Sequence, residues 1–230
     1  MSTLDVVHWL TDPSHWSGDS GIPVRIGQHL WMSFLAMVIA AALALPVGLV
    51  VGHRRRFEAL AAWVAYVGRA IPSFAVLVLV FILMVNLFPS SSLAFGTIPT
   101  VVALVLLAIP SMLVNTYVGI QGVDADTVEA ARGMGMRERE VLFRLEVPLA
   151  APLIMAGVRV AALQVVATAT LAALIAGGGL GRFIVDGFAQ GDTPMTVSGA
   201  VLVAALALLT EGGLFLVERA VRPRTVSRSA

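Results

Sequence analysis

Residues able to do chemistry are few in this chain of 230, and unevenly placed. All fifteen basic residues are arginine, cysteine is absent, and the four histidines stand at 8, 15, 29 and 53. Without cysteine there is no disulfide, no thiol nucleophile and no Cys-ligated metal. Without lysine no GxxxxGK[ST] phosphate loop exists, so any ATP that drives this chain is bound by another. The histidines fall at the edges of apolar runs or outside them, too scattered for a paired acid–base site. No catalytic residue, metal site or cofactor is therefore expected within the chain. One stretch stands apart, EAARGMGMREREVLFRLEVPLA at 129–150. Eight charges crowd into the eighteen residues Glu129 to Glu146, in a chain that is 58% hydrophobic and only 13% charged.

The local chemistry of this island is helical. Asp126 followed three residues later by Glu129 has capping-box spacing, with an aspartate in place of the usual Ser or Thr. TVEAAR then supplies helical turns with the small Ala130 and Ala131 side by side, and Gly133 and Gly135 stop the helix and permit a sharp turn. In MREREVLFRLEV, the residues Val141, Leu142 and Leu145 fall along one side. Pro148 suits the first position of a following helix. The prediction is a compact knob of two short helices about a glycine turn, with small alanines at its tip that let another surface approach closely.

The elements that must hold this knob are membrane helices. A mean hydropathy of +0.92 is far from that of a soluble domain, and about 20 apolar residues span a bilayer core as a helix. Five spans are expected, near 30–51, 70–88, 98–119, 148–175 and 195–217. The helix-breaking PSSSLAFGTIP at 89–99 turns the second into the third, and the glycines of 177–181 end the fourth. Residues 57–69 suit either an interfacial helix or the lower end of the second span, with Pro72 at the break. The fold class is thus all-α and polytopic. An N-terminal segment 1–29 precedes a membrane module 30–217, whose protruding loop is 121–148, and a basic tail 218–230 follows. Five spans place 53–58, 121–147 and 218–230 on one side, and these carry 11 of the 15 arginines. The positive-inside rule puts that side in the cytoplasm and the N-terminus outside. The N-terminal segment lacks the basic start of a cleaved signal peptide, so the first span is expected to act as its own insertion signal.

The spacing Glu129-Ala130-Ala131, three residues, Gly135, nine residues, Leu145-x-Val147-Pro148 resembles the EAA loop of bacterial ABC-importer permeases, EAA-x3-G-x9-I-x-L-P. Leu145 and Val147 are its only departures, both apolar. In that family the loop is the coupling helix that docks on a cytosolic ATPase. The resemblance implies a coupling role for Glu129, Ala130, Ala131, Arg132, Gly135 and Pro148, and a type I permease fold like that of the methionine importers. AIPSF at 70–74, NTYVGI at 115–120, MAGVRVAA at 155–162 and LAALIAGGGLG at 171–181 are similar to the osmoprotectant branch, which imports glycine betaine, carnitine, choline or proline betaine. The partners so implied are a cytosolic ABC ATPase dimer carrying ATP and Mg, a second permease copy or a sister permease, an extracytoplasmic binding protein and membrane lipid. Nucleic acid is not among them. The expected location is the bacterial cytoplasmic membrane. An amino-acid permease, such as one for methionine, shares the architecture and is the alternative.

The cargo path is less legible. Quaternary ammonium groups are held by aromatic faces, and Trp31, Phe34, Tyr66, Phe74, Phe81 and Tyr117 are available, although such rings more often pack or anchor. Asn115, Tyr117, Arg159, Gln164 and Thr168 are the candidates for a path or gate. An arginine at membrane depth costs about 2.5–3.5 kcal/mol on insertion scales, so Arg159 is expected to face the bundle against carbonyls or a carboxylate. Glu211 lies at a similar depth. The outward loop 177–192 suits a gate or a contact for the binding protein. An ion-coupled carrier would need carboxylates at mid-membrane, where Glu211 alone comes close. A passive scaffold leaves the EAA spacing unexplained.

Overall fold

The computed structural model describes residues 3–89, 95–175 and 177–221. The tip of the expected 89–99 hairpin and the tail beyond 221 lie outside them. The described residues are helical and contain no strand. In chain order the α-helices are α1 (Thr3–Thr11), α2 (Ile22–Arg54), α3 (Glu58–Ala70), α4 (Ser73–Leu87), α5 (Thr97–Gln121), α6 (Ala125–Gly133), α7 (Glu138–Glu140), α8 (Val147–Thr168), α9 (Gly181–Gln190) and α10 (Thr193–Val221). Four stretches are long and apolar enough to cross a membrane: α2, α5, the continuous run Glu138–Ile175 through α8, and Thr193–Arg219 within α10. A fifth is the pair α3 and α4, bent by 94° at its break.

One expectation about the spans is sharpened and another changes. Residues 58–70 form a helix of their own, turned almost perpendicular to α4, because Pro72 has no amide hydrogen to continue the ladder. That leaves α4 with 15 residues, about 22 Å at ~1.5 Å per residue. The fourth span does not begin at Pro148. Helix runs unbroken from Glu138, and a widened turn over Val141–Glu146 carries it past the proline. In that turn the Val147 amide donates to the Leu142 carbonyl, five residues back. Pro148 has no hydrogen to offer the carbonyl of Arg144, and a π-type turn just before it absorbs the mismatch.

The core is built on small residues. Along α2, Ala36, Ala40, Ala44, Gly48 and Gly52 recur every fourth position and are all buried, so they form one face. That face lies on α5, whose residues from Pro99 to Ile120 are largely inside. Contact is backbone-close. A Cβ added to Gly48 would lie 2.7 Å from Thr116 Cβ, one on Gly52 2.7 Å from Ile120 Cβ, and one on Gly157 of α8 2.5 Å from Asn115 Cβ. Lipid tails are as apolar as leucine, so membrane helices associate through such close packing. Gly157→Ala is expected to cost about 1–3 kcal/mol through overpacking, read as a lower unfolding midpoint in detergent. Gly27→Ala, with open space around its Cβ position, is the control.

The N-terminal end of α2 latches the glycine loop. Gln28 Oε1 accepts from the Gly179 amide (3.0 Å) and from Arg25 Nη1 (3.1 Å). The fully buried His29 donates from Nε2 to the Val166 carbonyl (2.9 Å). Gly179 sits at φ +89° against that imidazole. Sequence reasoning leaves His29 at a span edge, and its long-range partner explains its position.

Candidate functional site

The charged island folds as a knob at one end of the bundle. Its first helix is capped by Asp124 and not by Asp126. Asp124 Oδ1 accepts from the Thr127 amide (2.9 Å) and hydroxyl (3.2 Å). Gly122 ends α5 and the buried Val123 anchors the chain, so residue 124 is the first free to take the cap. Asp126 then falls in the first turn, and Glu129 lies too far along to close a reciprocal box. The Thr127 backbone bond, helped by the Thr127 hydroxyl, holds the Asp124 carboxyl below the usual carboxylate range. The cap therefore acts fully above the ordinary carboxylate pKa and is lost as pH falls through the lowered value.

The helix ends in a Schellman motif. The Met136 amide donates to the Ala131 carbonyl (3.2 Å) and the Gly135 amide to the Arg132 carbonyl (2.9 Å), with Gly135 in the left-handed region at φ +86°. No atom lies within 4 Å of a Cβ built there. Glycine is demanded by backbone conformation and not by space. Val123, Val128, Ala131 and Val141 are buried together, with Met136 and Leu145 packed against them. The two alanines consequently part company. Successive helical positions point about 100° apart, so Ala130 stays exposed beside Glu129 while Ala131 turns into the cluster. The expected pair of alanines at the tip is a single alanine, flanked by the highly exposed Met134.

A chain of polar contacts ties the knob to the bundle. Arg132 meets Glu138 through both Nε and Nη2 at 2.9 Å. That fork raises the Arg132 pKa above its ordinary value. Glu138 also lies 3.1 Å from Nε2 of His53, at the end of α2, and Nδ1 of His53 lies 2.6 Å from Oε2 of the buried Glu146. One imidazole thus links α2, the knob and the widened turn. Sequence reasoning misses it, because a contact across 93 residues leaves no local pattern. His53→Phe is expected to loosen the knob and cost about 1.5–3 kcal/mol, since the buried Glu146 loses a hydrogen-bond partner. Faster amide exchange over 138–147 is the measurement, and His53→Phe with Glu146→Gln should regain much of the loss.

The other candidates do not converge on one chamber. Arg159 is half-buried and faces α10, with Nε 3.1 Å from Glu211 and Nη1 2.5 Å from Glu218, and its guanidinium is 6.0 Å from the centre of the Phe215 ring. Asn115 is half-buried, donates to the Ser111 carbonyl (2.8 Å) and abuts Gly157. Tyr117 packs on the core, Thr168 is buried at the end of α8, and Gln164 is half-buried. Pro148 is exposed beyond the widened turn. Trp31, Phe34, Tyr66 and Phe74 lie on the outside of the single chain, and Phe81 stacks edge-on with Phe95. In α9, Arg182 pairs with Asp186 (2.6 Å).

Comparison with known proteins reaches nearly the whole chain. Residues 44–223 match the model of a family described as binding-protein-dependent transport system inner membrane component. The chain is 34% identical to the carnitine transport permease protein OpuCB of Listeria monocytogenes, over 88% of this chain and 89% of that one. It is 33% identical to the glycine betaine/carnitine/choline transport system permease OpuCB of Bacillus subtilis, over 87% and 88%. The osmoprotectant import permease OsmW of Salmonella typhimurium is 27% identical over 97% and 100%. Among solved structures, an inward-facing MetNI methionine ABC transporter aligns with TM-score 0.78 at 20% identity, over 93% of this chain and all of that one. At that identity the likeness concerns fold alone.

Proposed function

This chain belongs to the family of binding-protein-dependent transport system inner membrane components, and from that premise we propose that its cargo is a quaternary-ammonium osmoprotectant. It is the permease subunit of an ABC importer, a multi-pass membrane protein and not an enzyme. The observation that carries the cargo class is the set of relatives at 32–34% identity over 87–88% of the chain, named for carnitine, glycine betaine and choline. The methionine system is matched only at 18–20% identity, which carries no substrate.

The knob Asp124–Pro148 is the surface on which a separate, cytosolic ATPase docks. Glu129, Ala130, Arg132 and Met134 are exposed on it, and the chain of polar contacts through Glu138 and His53 passes its displacement to α2 and α8. A helix bundle has no energy source of its own and is biased only by a partner that binds its conformations unequally. An ATPase dimer carrying ATP and Mg supplies that bias. A second permease copy or a sister permease completes the path. An extracytoplasmic binding protein delivers cargo on the side of the N-terminus, Arg25 and Arg182. The arginine distribution supports this orientation, with 54–56, 132, 137, 139 and 144 on the cytoplasmic side.

The test is reconstitution with the neighbouring ATPase and binding protein in proteoliposomes, followed by uptake of labelled glycine betaine, carnitine, choline and methionine. ATP-dependent uptake of a betaine-class cargo is expected. Uptake of methionine alone, or uptake without ATP, overturns the assignment.

A further inference from the structure

The connection between α2 and α3 is unusual. Arg55 (φ 48°) and Phe57 (φ 64°) both lie in the left-handed region, and they are the only residues other than glycine to do so among those described. Such conformations cost free energy and persist where the surroundings impose them. Two cavities open at this strained link. One, of about 530 Å³, is lined by Val50, His53, Arg54, Arg56, Arg132, Glu138, Arg139 and Leu142. The other, of about 580 Å³, lies between α2 and α3 and is wholly apolar, with Val47, Val50, Phe57, Leu60, Val64 and Leu113 in its wall. Val50 belongs to both, so a basic basin and an oily groove meet at one side chain.

Charge in the basin is lopsided. Four arginines face one glutamate, and that glutamate is already engaged by Arg132 and His53. Arg54, Arg56 and Arg139 have no ion pair among the described residues. Arginine holds phosphate oxygens in bidentate fashion, and basic pockets between helices on the cytoplasmic side take phospholipid headgroups. The groove supplies what a free anion does not need, an apolar wall between α2 and α3 beside the basin.

We propose that this composite cavity binds one anionic phospholipid of the cytoplasmic leaflet. Its phosphate sits among Arg54, Arg56 and Arg139, and an acyl chain lies between α2 and α3 against Val50, Phe57 and Leu60. The left-handed residues 55 and 57 flank Arg56, which lines the basin, and Phe57 itself lines the groove. The lipid so placed touches Arg132 and Glu138, the same pair that ties the knob to the bundle.

The inference rests on the cytoplasmic placement of this end, which is tested separately. The chain lacks cysteine, so Arg56→Cys reports sidedness cleanly, with an impermeant maleimide labelling it only in inverted vesicles. For the site itself, the full chain is purified in detergent with equimolar phosphatidylglycerol and phosphatidylcholine, and retained lipid is counted by native mass spectrometry. One phosphatidylglycerol is expected to be held at least about tenfold in excess over phosphatidylcholine. Arg54→Gln with Arg56→Gln and Arg139→Gln should abolish the preference, and Leu60→Asp should do so from the groove side. Arg144→Gln with Arg219→Gln, which removes charge elsewhere on the same face, should leave it intact. Equal retention of the two lipids, an unchanged preference in the triple variant or an equal loss in the control would overturn the proposal. So would displacement of the lipid by inorganic phosphate alone. Loss of ATPase co-purification in the triple variant, with lipid retention unchanged, would assign the basin to the ATPase instead. Labelling from the outside would sink the orientation while leaving the lipid count to be read on its own.

Discussion

A valine at position 135 lowers ATP-driven uptake about 5–30-fold while the chain still inserts and folds. The figure follows from the backbone. Gly135 is the left-handed residue of a Schellman motif, and a side chain in that region costs about 1–2 kcal/mol, a factor of about 5–30 in population. Space is not the difficulty, since a Cβ there meets nothing within 4 Å. What changes is the fraction of molecules in which the Met136 amide still reaches the Ala131 carbonyl and the cluster of Val123, Val128 and Val141 stays closed. Those molecules alone present α6 at the angle a docked ATPase can push. Gly133→Ala is the matched control, because its neighbourhood is equally open and its φ is not positive. Uptake and cargo-stimulated ATP hydrolysis, measured together in proteoliposomes, decide the matter. Both unaffected in Gly135→Val would remove the knob from the coupling mechanism.

The second large effect is expected at Arg159. Arg159→Met leaves Glu211 and the buried Glu218 without the cation that lies between them. Removing the donor from these partly buried charged hydrogen bonds costs about 1.5–3 kcal/mol. The expected readout is a sharply lower yield of folded protein in the membrane and a lower unfolding midpoint in detergent. Arg159→Lys should recover only part, since an ammonium cannot fork to two carboxylates as a guanidinium does. Combining Arg159→Met with Glu211→Gln and Glu218→Gln should recover most of the stability. If the triple variant is as unstable as the single one, packing and not charge is what Arg159 supplies.

Much of the fold and of the knob can be read directly from the order of residues. Long runs without charge mark the spans, and the charged island with its EAA spacing marks the knob, because both signals are local. The stop at Gly135 is legible for the same reason. Asp126 has the better capping pattern, yet Asp124 takes the cap. A cap is chosen by where the previous helix lets go, and that depends on Val123 finding an apolar cluster. Pro148 looks like a helix start, but a widened turn can carry a helix through a proline, and nothing in VLFRLEVP announces one. Ala130 and Ala131 are indistinguishable as letters, because small residues fit either a close approach or a core. A partner for Arg159, carbonyl or carboxylate, is expected from its depth, but which groups serve is hidden, since Glu211 and Glu218 lie 52 and 59 residues away on another helix. His29 and His53 escape sequence reasoning for a related reason, as their partners are 137 and 93 residues distant.

The glycine seams of α2, α5 and α8 carry a mechanical consequence. Where Thr116 and Ile120 fill the notches of Gly48 and Gly52, and Asn115 fills that of Gly157, no helix of the three can slide lengthwise without first lifting out of its neighbour. Packed protein interfaces switch between discrete arrangements and do not creep. The trio therefore moves as a single wedge, and any shear is confined to its borders with the short, elbowed α3–α4 pair and with α10, only 6% of whose most apolar stretch is covered by the rest of the chain.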